Sequence, residues 1–201
     1  MVNSPLHIQA ARQGDINAFN ALVEAHQDYV YSVAYRILQD SQWTDDVVQE
    51  TFWTAFRKLE QFQGENFKAW LGRIAINTCY DELRRKKRHP AEALDETLEG
   101  ELRLVSPSES PEDYAQRMEA RSAIEDCLAQ LSPEFRAVVM ASLVDEYSYE
   151  EIAQHLHLSL GTVKSRLSRA RLRLRDCLQA KGELWGITQR LQTIGESDPL
   201  E

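Results

Sequence analysis

Apolar residues recur at intervals of three and four along most of this chain, and its 201 residues include only 8 glycines and 6 prolines. That pattern favours helices with one buried stripe each and leaves little room for strands. Asp15 is placed to cap a first helix whose inner side is Phe19, Leu22, Val23, Val30, Val33, Ala34 and Ile37. A second helix follows Thr44, with Val48, Phe52, Ala55 and Leu59 inward. The run "EQFQGENF" over 60–67 breaks the period with a glycine and reads as a loop. A third helix runs from about Lys68 to Arg88 and buries Phe67, Trp70, Leu71, Ile74 and Ala75. Three such helices cover one another's stripes and make a first bundle.

From His89 to about Tyr114 the character changes. "HPAEALDETLEGELRLVSPSESPEDY" is acidic, carries prolines and lacks a sustained apolar period, so it reads as a flexible, self-repelling linker with at most a weak helix around 94–104. Helix-start signals then return. Ser132 precedes Pro133, Ser148 stands three residues before Glu151 in capping-box spacing, and Ser159 can cap the helix after it. The helix over 149–155 is short and a tight turn follows it, which is the form of a helix-turn-helix unit. The expected architecture is all-α: an N-terminal segment (1–14), a first helical domain (15–89), a flexible acidic linker (90–117), a helix-turn-helix domain (118–178) and a C-terminal extension (179–201).

Several function classes lose support at this level. No run of about 18 apolar residues could span a membrane, and the first residues lack the apolar core of a signal peptide, so the expected place is the cytoplasm. Cys79, Cys127 and Cys177 form no metal-ligand spacing and read as idle thiols in a reducing compartment. Neither a glycine-rich phosphate loop nor a nucleophile–base set is visible. His26, His155 and His157 read as structural or solvated, and no catalytic residue, metal or cofactor is expected.

The net charge is −9, yet "SLGTVKSRLSRARLRLR" (159–175) is strongly basic. On a helical wheel, Val163, Leu167, Ala170 and Leu174 share the inner side. Ser165, Ser168 and Arg169 point outward, flanked by Thr162 and Lys164, with Arg166, Arg171 and Arg173 at the margins. Lys, Arg, Ser and Thr can bond base edges in a major groove, and marginal arginines suit phosphates. The outward side has almost no acidic partner, unlike a merely solvated helix. The third helix carries a second basic stripe of Arg73, Asn77, Tyr80, Arg84 and Arg88, which suits phosphates and unstacked bases. The loop before it, with Phe62, Gly64, Asn66 and Phe67, could hold a flipped base, although Phe67 fits a core position equally well. On the second helix, Asp46, Gln49, Glu50, Trp53 and Arg57 share an outer stripe; a tryptophan on a polar face is the kind of anchor a protein interface uses.

"DDVVQETFWTAFRKL", "FKAWLGRIAINTCYDELRRKKR" and "LSPEFRAVVMASLVDEYSYEEIAQHLHLSLGTVKSRLSRARLRL" resemble, in order, regions 2.2, 2.3–2.4 and 4 of the bacterial sigma factors of the extracytoplasmic-function (ECF) group. The resemblance implies an alternative sigma factor that binds core RNA polymerase and directs promoter-specific initiation. Asp45, Asp46, Gln49, Glu50 and Trp53 would meet the β′ clamp helices, and core binding also involves the β subunit. The loop residues Gln61, Gly64, Asn66 and Phe67, with Arg73, Asn77, Tyr80, Arg84, Arg85 and Arg88, would capture the −10 element. Thr162, Lys164, Ser165, Arg166, Ser168, Arg169, Arg171 and Arg173 would serve the −35 element. An anti-sigma factor is a possible further partner. Two positions depart from the family's pattern: His157 stands where its helix-turn-helix turn usually has glycine, so a positive φ is expected of a histidine, and Ser168 is small where larger or charged side chains often project from the recognition helix, so the promoter sequence cannot be copied from relatives.

The competing reading is a stand-alone helix-turn-helix repressor or activator that binds duplex DNA as a dimer. It leaves the Asp46–Trp53 and Arg73–Arg88 stripes without a role, and its dimer surface would have to come from Leu184, Trp185 and Ile187.

Overall fold

The computed structural model describes residues 5–64, 66–88, 111–145 and 147–181. They form eight α-helices: α1 (Pro5–Arg12), α2 (Ile16–Leu38), α3 (Ser41–Lys58), α4 (Phe67–Arg88), α5 (Pro111–Ala129), α6 (Pro133–Ser142), α7 (Tyr149–His155) and α8 (Leu160–Ala180), with one 3-10 turn at Leu59–Gln61. The weak helix read over 94–104 and the apolar trio Leu184, Trp185 and Ile187 lie outside the described residues.

Asp15 caps α2 by accepting from the amides of Asn17 and Ala18. α2 ends on Gln39, which takes a left-handed φ of 58° and returns its amide to Tyr35 O at 2.8 Å. Asp40 follows at once as the cap of α3, accepting from Trp43 N at 2.7 Å. α3 therefore starts at Ser41, earlier than the periodicity after Thr44 suggested. Its deepest residues are Thr44, Val47, Thr51 and Ala55, whereas Val48 is only partly covered. α1, α2, α3 and α4 pack together as the first bundle.

α5 begins at Pro111, inside the stretch read as linker. A proline in the first helical turn followed by Glu112 and Asp113 is a helix-start pattern that the acidic composition obscured. α6, α7 and α8 complete the second group, with α5 and α6 both against α8.

The two groups share an interface through α6, which packs on α8 and also on α2 and α4. Five successive residues of α6, Ala137 to Ala141, are buried, so this helix is apolar nearly all round. Arg136 is buried beside them: its Nε donates to Ile37 O at 2.7 Å, and its Nη1 to Leu131 O at 2.8 Å and Ala129 O at 3.3 Å. The guanidinium thereby ties the end of α2 to the α5–α6 turn. One continuous apolar cluster runs through both groups. No helix among the described residues is long and apolar enough to cross a membrane.

Candidate nucleic-acid and protein interfaces

The helix-turn-helix unit is built from caps. Ser148 and Glu151 close a reciprocal capping box at the start of α7, and these hydrogen bonds hold the Glu151 carboxyl below its usual range. His157 has φ 53°, as expected for the turn, and Leu158 N reaches Ala153 O at 2.8 Å. Ser159 caps α8 through Thr162 N at 3.0 Å. Val163, Leu167, Ala170 and Leu174 are buried, so Lys164, Ser165, Ser168 and Arg169 stand exposed on the opposite side. Thr162 is half-buried and its hydroxyl pairs with Ser159 Oγ at 2.7 Å, so it belongs to the cap as much as to the outer face.

The marginal arginines have partners within the chain. Arg171 donates to the Tyr149 hydroxyl at 3.1 Å, and Arg173 lies over the Phe135 ring. Arg166 Nη1 reaches across to the Tyr80 hydroxyl on α4 at 3.0 Å.

That contact is part of a larger facing of α4 towards the second group. Arg73 donates to Asp145 O at 3.3 Å and stacks over the Tyr147 ring. The Tyr147 hydroxyl donates to Asn77 Oδ1 at 3.2 Å and lies 3.1 Å from His155 Nδ1. One phenolic proton cannot serve both, so when Tyr147 donates to Asn77 the imidazole must supply its own proton at Nδ1. Burial pushes the Tyr147 phenol up to about 12. Arg73 and Asn77 are thus half-buried and Tyr80 is buried, while Arg84, Arg85 and Arg88 remain exposed at the end of α4.

In the loop before α4 the aromatic rings take the core alternative. Phe62 and Phe67 are buried against each other and Trp70, with His26 beside Phe67. Asn66 caps α4 by accepting from Ala69 N at 3.0 Å. Gln61 and Gly64 stay exposed. Aromatic burial in so small a bundle outweighs presentation of the ring, and an Asn just before a helix satisfies an amide that would otherwise lack a partner. His26 is itself buried, and desolvation, with the nearby Lys68 charge, lowers its pKa.

Asp45, Asp46, Gln49, Glu50 and Trp53 are all exposed on α3. Trp53 is 57% exposed, a large value for that side chain. Its ring stacks near Phe56, and Arg57 bridges Trp53 and Glu50. An apolar groove lined by Phe19, Val23, Val48, Phe52, Trp53 and Phe56 opens beside this acidic edge. Val23 and Val48, read from sequence as core, pack against the core at its edge and also form part of the groove wall.

The cysteines contradict the reading of three idle thiols. Cys127 on α5 and Cys177 on α8 form a disulfide, and Cys79 alone is free and buried. Two cysteines 50 positions apart carry no local spacing signal, and only the packing of α5 on α8 brings them together.

Residues 22–89 match the Sigma-70 region 2 family and residues 121–174 the Sigma-70 region 4 family. The ECF RNA polymerase sigma factor SigW of Bacillus subtilis is 32% identical over 179 residues, covering 86% of this chain and 95% of that protein. The ECF RNA polymerase sigma-E factor of Escherichia coli is 34% identical over 172 residues, covering 82% and 88%. SigE of Mycolicibacterium smegmatis is 37% identical over 166 residues, 83% of this chain, which spans 63% of that longer protein. Among solved structures, CnrH in complex with the cytosolic domain of CnrY aligns at TM-score 0.50 and 29% identity, over 87% of this chain and 96% of that one. The sigma factor RpoE of Bartonella quintana, solved with the anti-sigma factor NepR, shares the fold at TM-score 0.55 and 24% identity, over 82% and 98%. The chain belongs to the ECF group of sigma-70 family RNA polymerase sigma factors.

Proposed function

We propose that this sigma factor engages core RNA polymerase through Asp45, Asp46, Gln49, Glu50 and Trp53 on α3, the −10 element through the α4 stripe and its preceding loop, and the −35 element through the outer face of α8. It would act in the cytoplasm, where polymerase works, as a regulatory initiation factor. The observation that carries this reading is the exposed acidic face of α3 with Trp53 on it, alongside basic residues exposed on both α4 and α8. A stand-alone repressor needs one DNA surface and has no use for the other two. The complex of CnrH with the cytosolic domain of CnrY supports a further protein partner, for which an anti-sigma factor is the candidate.

In the described arrangement the two DNA-facing sets meet at Tyr80 and Arg166. The −35 and −10 elements lie about 25 base pairs apart, roughly 85 Å of straight duplex at 3.4 Å per pair. Promoter engagement therefore requires α4 and α8 to separate by tens of ångströms. The described state is closed with respect to DNA.

The test is transcription in vitro with purified core polymerase, with and without this protein. Promoter-specific transcripts that depend on it are expected, and replacing Asp46 and Trp53 together by alanine should abolish co-purification with core. Sequence-specific gel shifts by the isolated protein with no effect on core polymerase would instead establish the repressor reading.

A further inference from the structure

We propose that Cys127 and Cys177 are a reversible thiol–disulfide site, opened and closed through Cys177, that sets the stability of the α5–α8 unit. Cys127 is buried on α5, whereas Cys177 on α8 is half-buried, so an incoming sulfur can reach only the second. The surroundings are built for a join between these helices. Leu128 and Ala123 on α5 and Leu174 and Leu178 on α8 are buried around the pair, and Lys181 Nζ meets Asp126 Oδ2 at 2.7 Å next to it. The residues proposed to read bases, Lys164, Ser165, Ser168 and Arg169, are eight or more positions away from Cys177, and of the arginines proposed for phosphate Arg173 is one helical turn from it.

Closure needs a two-electron oxidant, and a low-molecular-weight disulfide supplies it. The Cys177 thiolate attacks one sulfur of the small disulfide, forming a mixed disulfide and releasing one thiol. Cys127 then attacks the Cys177 sulfur and releases the second thiol, its own proton passing to solvent. One small disulfide is reduced to two thiols as two cysteine thiols become one disulfide. Opening by a dithiol reductant runs in reverse, with attack at Cys177 and Cys127 as the leaving group.

The consequence is greatest in the open form of the sigma factor. In the closed form, α6 is buried against α2 and α4 as well as α8. Once the groups separate, the second must stand on a core of roughly 60 residues, a size at which small domains depend on staples. A crosslink closing a 50-residue loop removes much conformational freedom from the unfolded chain. Oxidation thus favours an intact DNA-reading group at the moment it leaves its cover. This consequence rests on the sigma-factor reading above; the thiol chemistry does not.

The experiment uses the full chain, oxidised with glutathione disulfide or reduced with dithiothreitol, and reads intact mass, thermal unfolding and transcription with core polymerase. Reduced wild type should re-form the intramolecular bond. Cys127→Ser should stop at a glutathione adduct on Cys177, and Cys177→Ser should take none, since Cys127 and Cys79 are buried. The transition of the oxidised protein should lie at least about 5 °C above that of the reduced one, with no such gap in either variant. Between the two midpoints, oxidised wild type should retain at least about twofold more promoter-specific transcript. Equal adduct formation at Cys127, or no thermal gap in wild type, overturns the proposal. If the adduct pattern and thermal gap hold while neither redox form supports transcription, the thiol site stands and the sigma-factor reading fails.

Discussion

Arg166 on α8 donates to the Tyr80 hydroxyl on α4 at 3.0 Å, joining two side chains 86 positions apart that were read from sequence as belonging to different DNA surfaces. Tyr80→Phe keeps the ring and deletes the acceptor. A half-buried hydrogen bond from a charged donor contributes about 1 kcal/mol, so the closed form should lose about fivefold in its equilibrium with the open one. Amide exchange on α6 should speed up by a similar factor; an unchanged rate would mean that the bond is incidental to closure.

Gly72 sits where α4 meets the second group. A Cβ there would lie 2.5 Å from the Tyr29 hydroxyl and 3.3 Å from Val144 Cγ2. Tyr29 belongs to α2 of the same bundle and Val144 to the second group. Gly72→Ala should therefore displace the Tyr29 hydroxyl and crowd Val144, disfavouring closure while strengthening α4 itself, since alanine is the better helix former by about 1 kcal/mol. The expected result is a larger radius of gyration by small-angle scattering with retained helicity. A compact variant of wild-type dimensions would show that Tyr29 swings aside and the interface adapts.

Arg136 is a buried polar fastening between the groups. Arg136→Ala removes the donors to Ile37, Ala129 and Leu131 and leaves a void, at a cost of about 2–4 kcal/mol. Urea denaturation should show the loss, and Arg136→Lys should recover only part of it because an ammonium cannot present the same planar fork. Full recovery by lysine would mean that charge alone matters there.

Glu151 is held below its usual pKa by the Ser148 amide and hydroxyl. A carboxylate whose folded pKa is depressed stabilises the fold above its unfolded value and loses that contribution as pH falls through the folded one. Glu151→Gln keeps an acceptor that does not titrate. The wild type should lose more stability between pH 7 and pH 3 than this variant does, read from urea midpoints. Equal losses would remove Glu151 from the acid response.

Arg169 is exposed on the proposed reading face. Arg169→Ala should weaken promoter binding by holoenzyme by about 1–3 kcal/mol and relax specificity at the −35 element, where a bidentate base contact is lost. A uniform loss across promoter sequences, with a shallower salt slope, would reassign it to phosphate.

Much of the second group was legible because its determinants are local. The Ser148–Glu151 box, the positive φ of His157 and the inward row of Val163, Leu167, Ala170 and Leu174 each depend on neighbours within a turn or two. The aromatic loop was less legible. Phe62 and Phe67 have the same composition whether they cup a base or fill a core, and only the packing with Trp70 and His26 distinguishes the two. One available signal was passed over: the five-residue apolar run of α6, which has no polar side to give to solvent and so announces burial on more than one side.

By itself, the sequence determined the all-helical class, the helix-turn-helix caps and the exposed chemistry of α3 and α8. Periodicity and capping are set by residues three or four positions apart, and such patterns survive in any arrangement of the whole. Tertiary structure alone decided that Tyr80 meets Arg166, that Tyr147 covers Asn77 and that Cys127 bonds Cys177. Each of those pairs is separated by 50 or more positions. Their meeting depends on α5 and α6 finding helices to cover them, a matter of buried area and shape that no local pattern records.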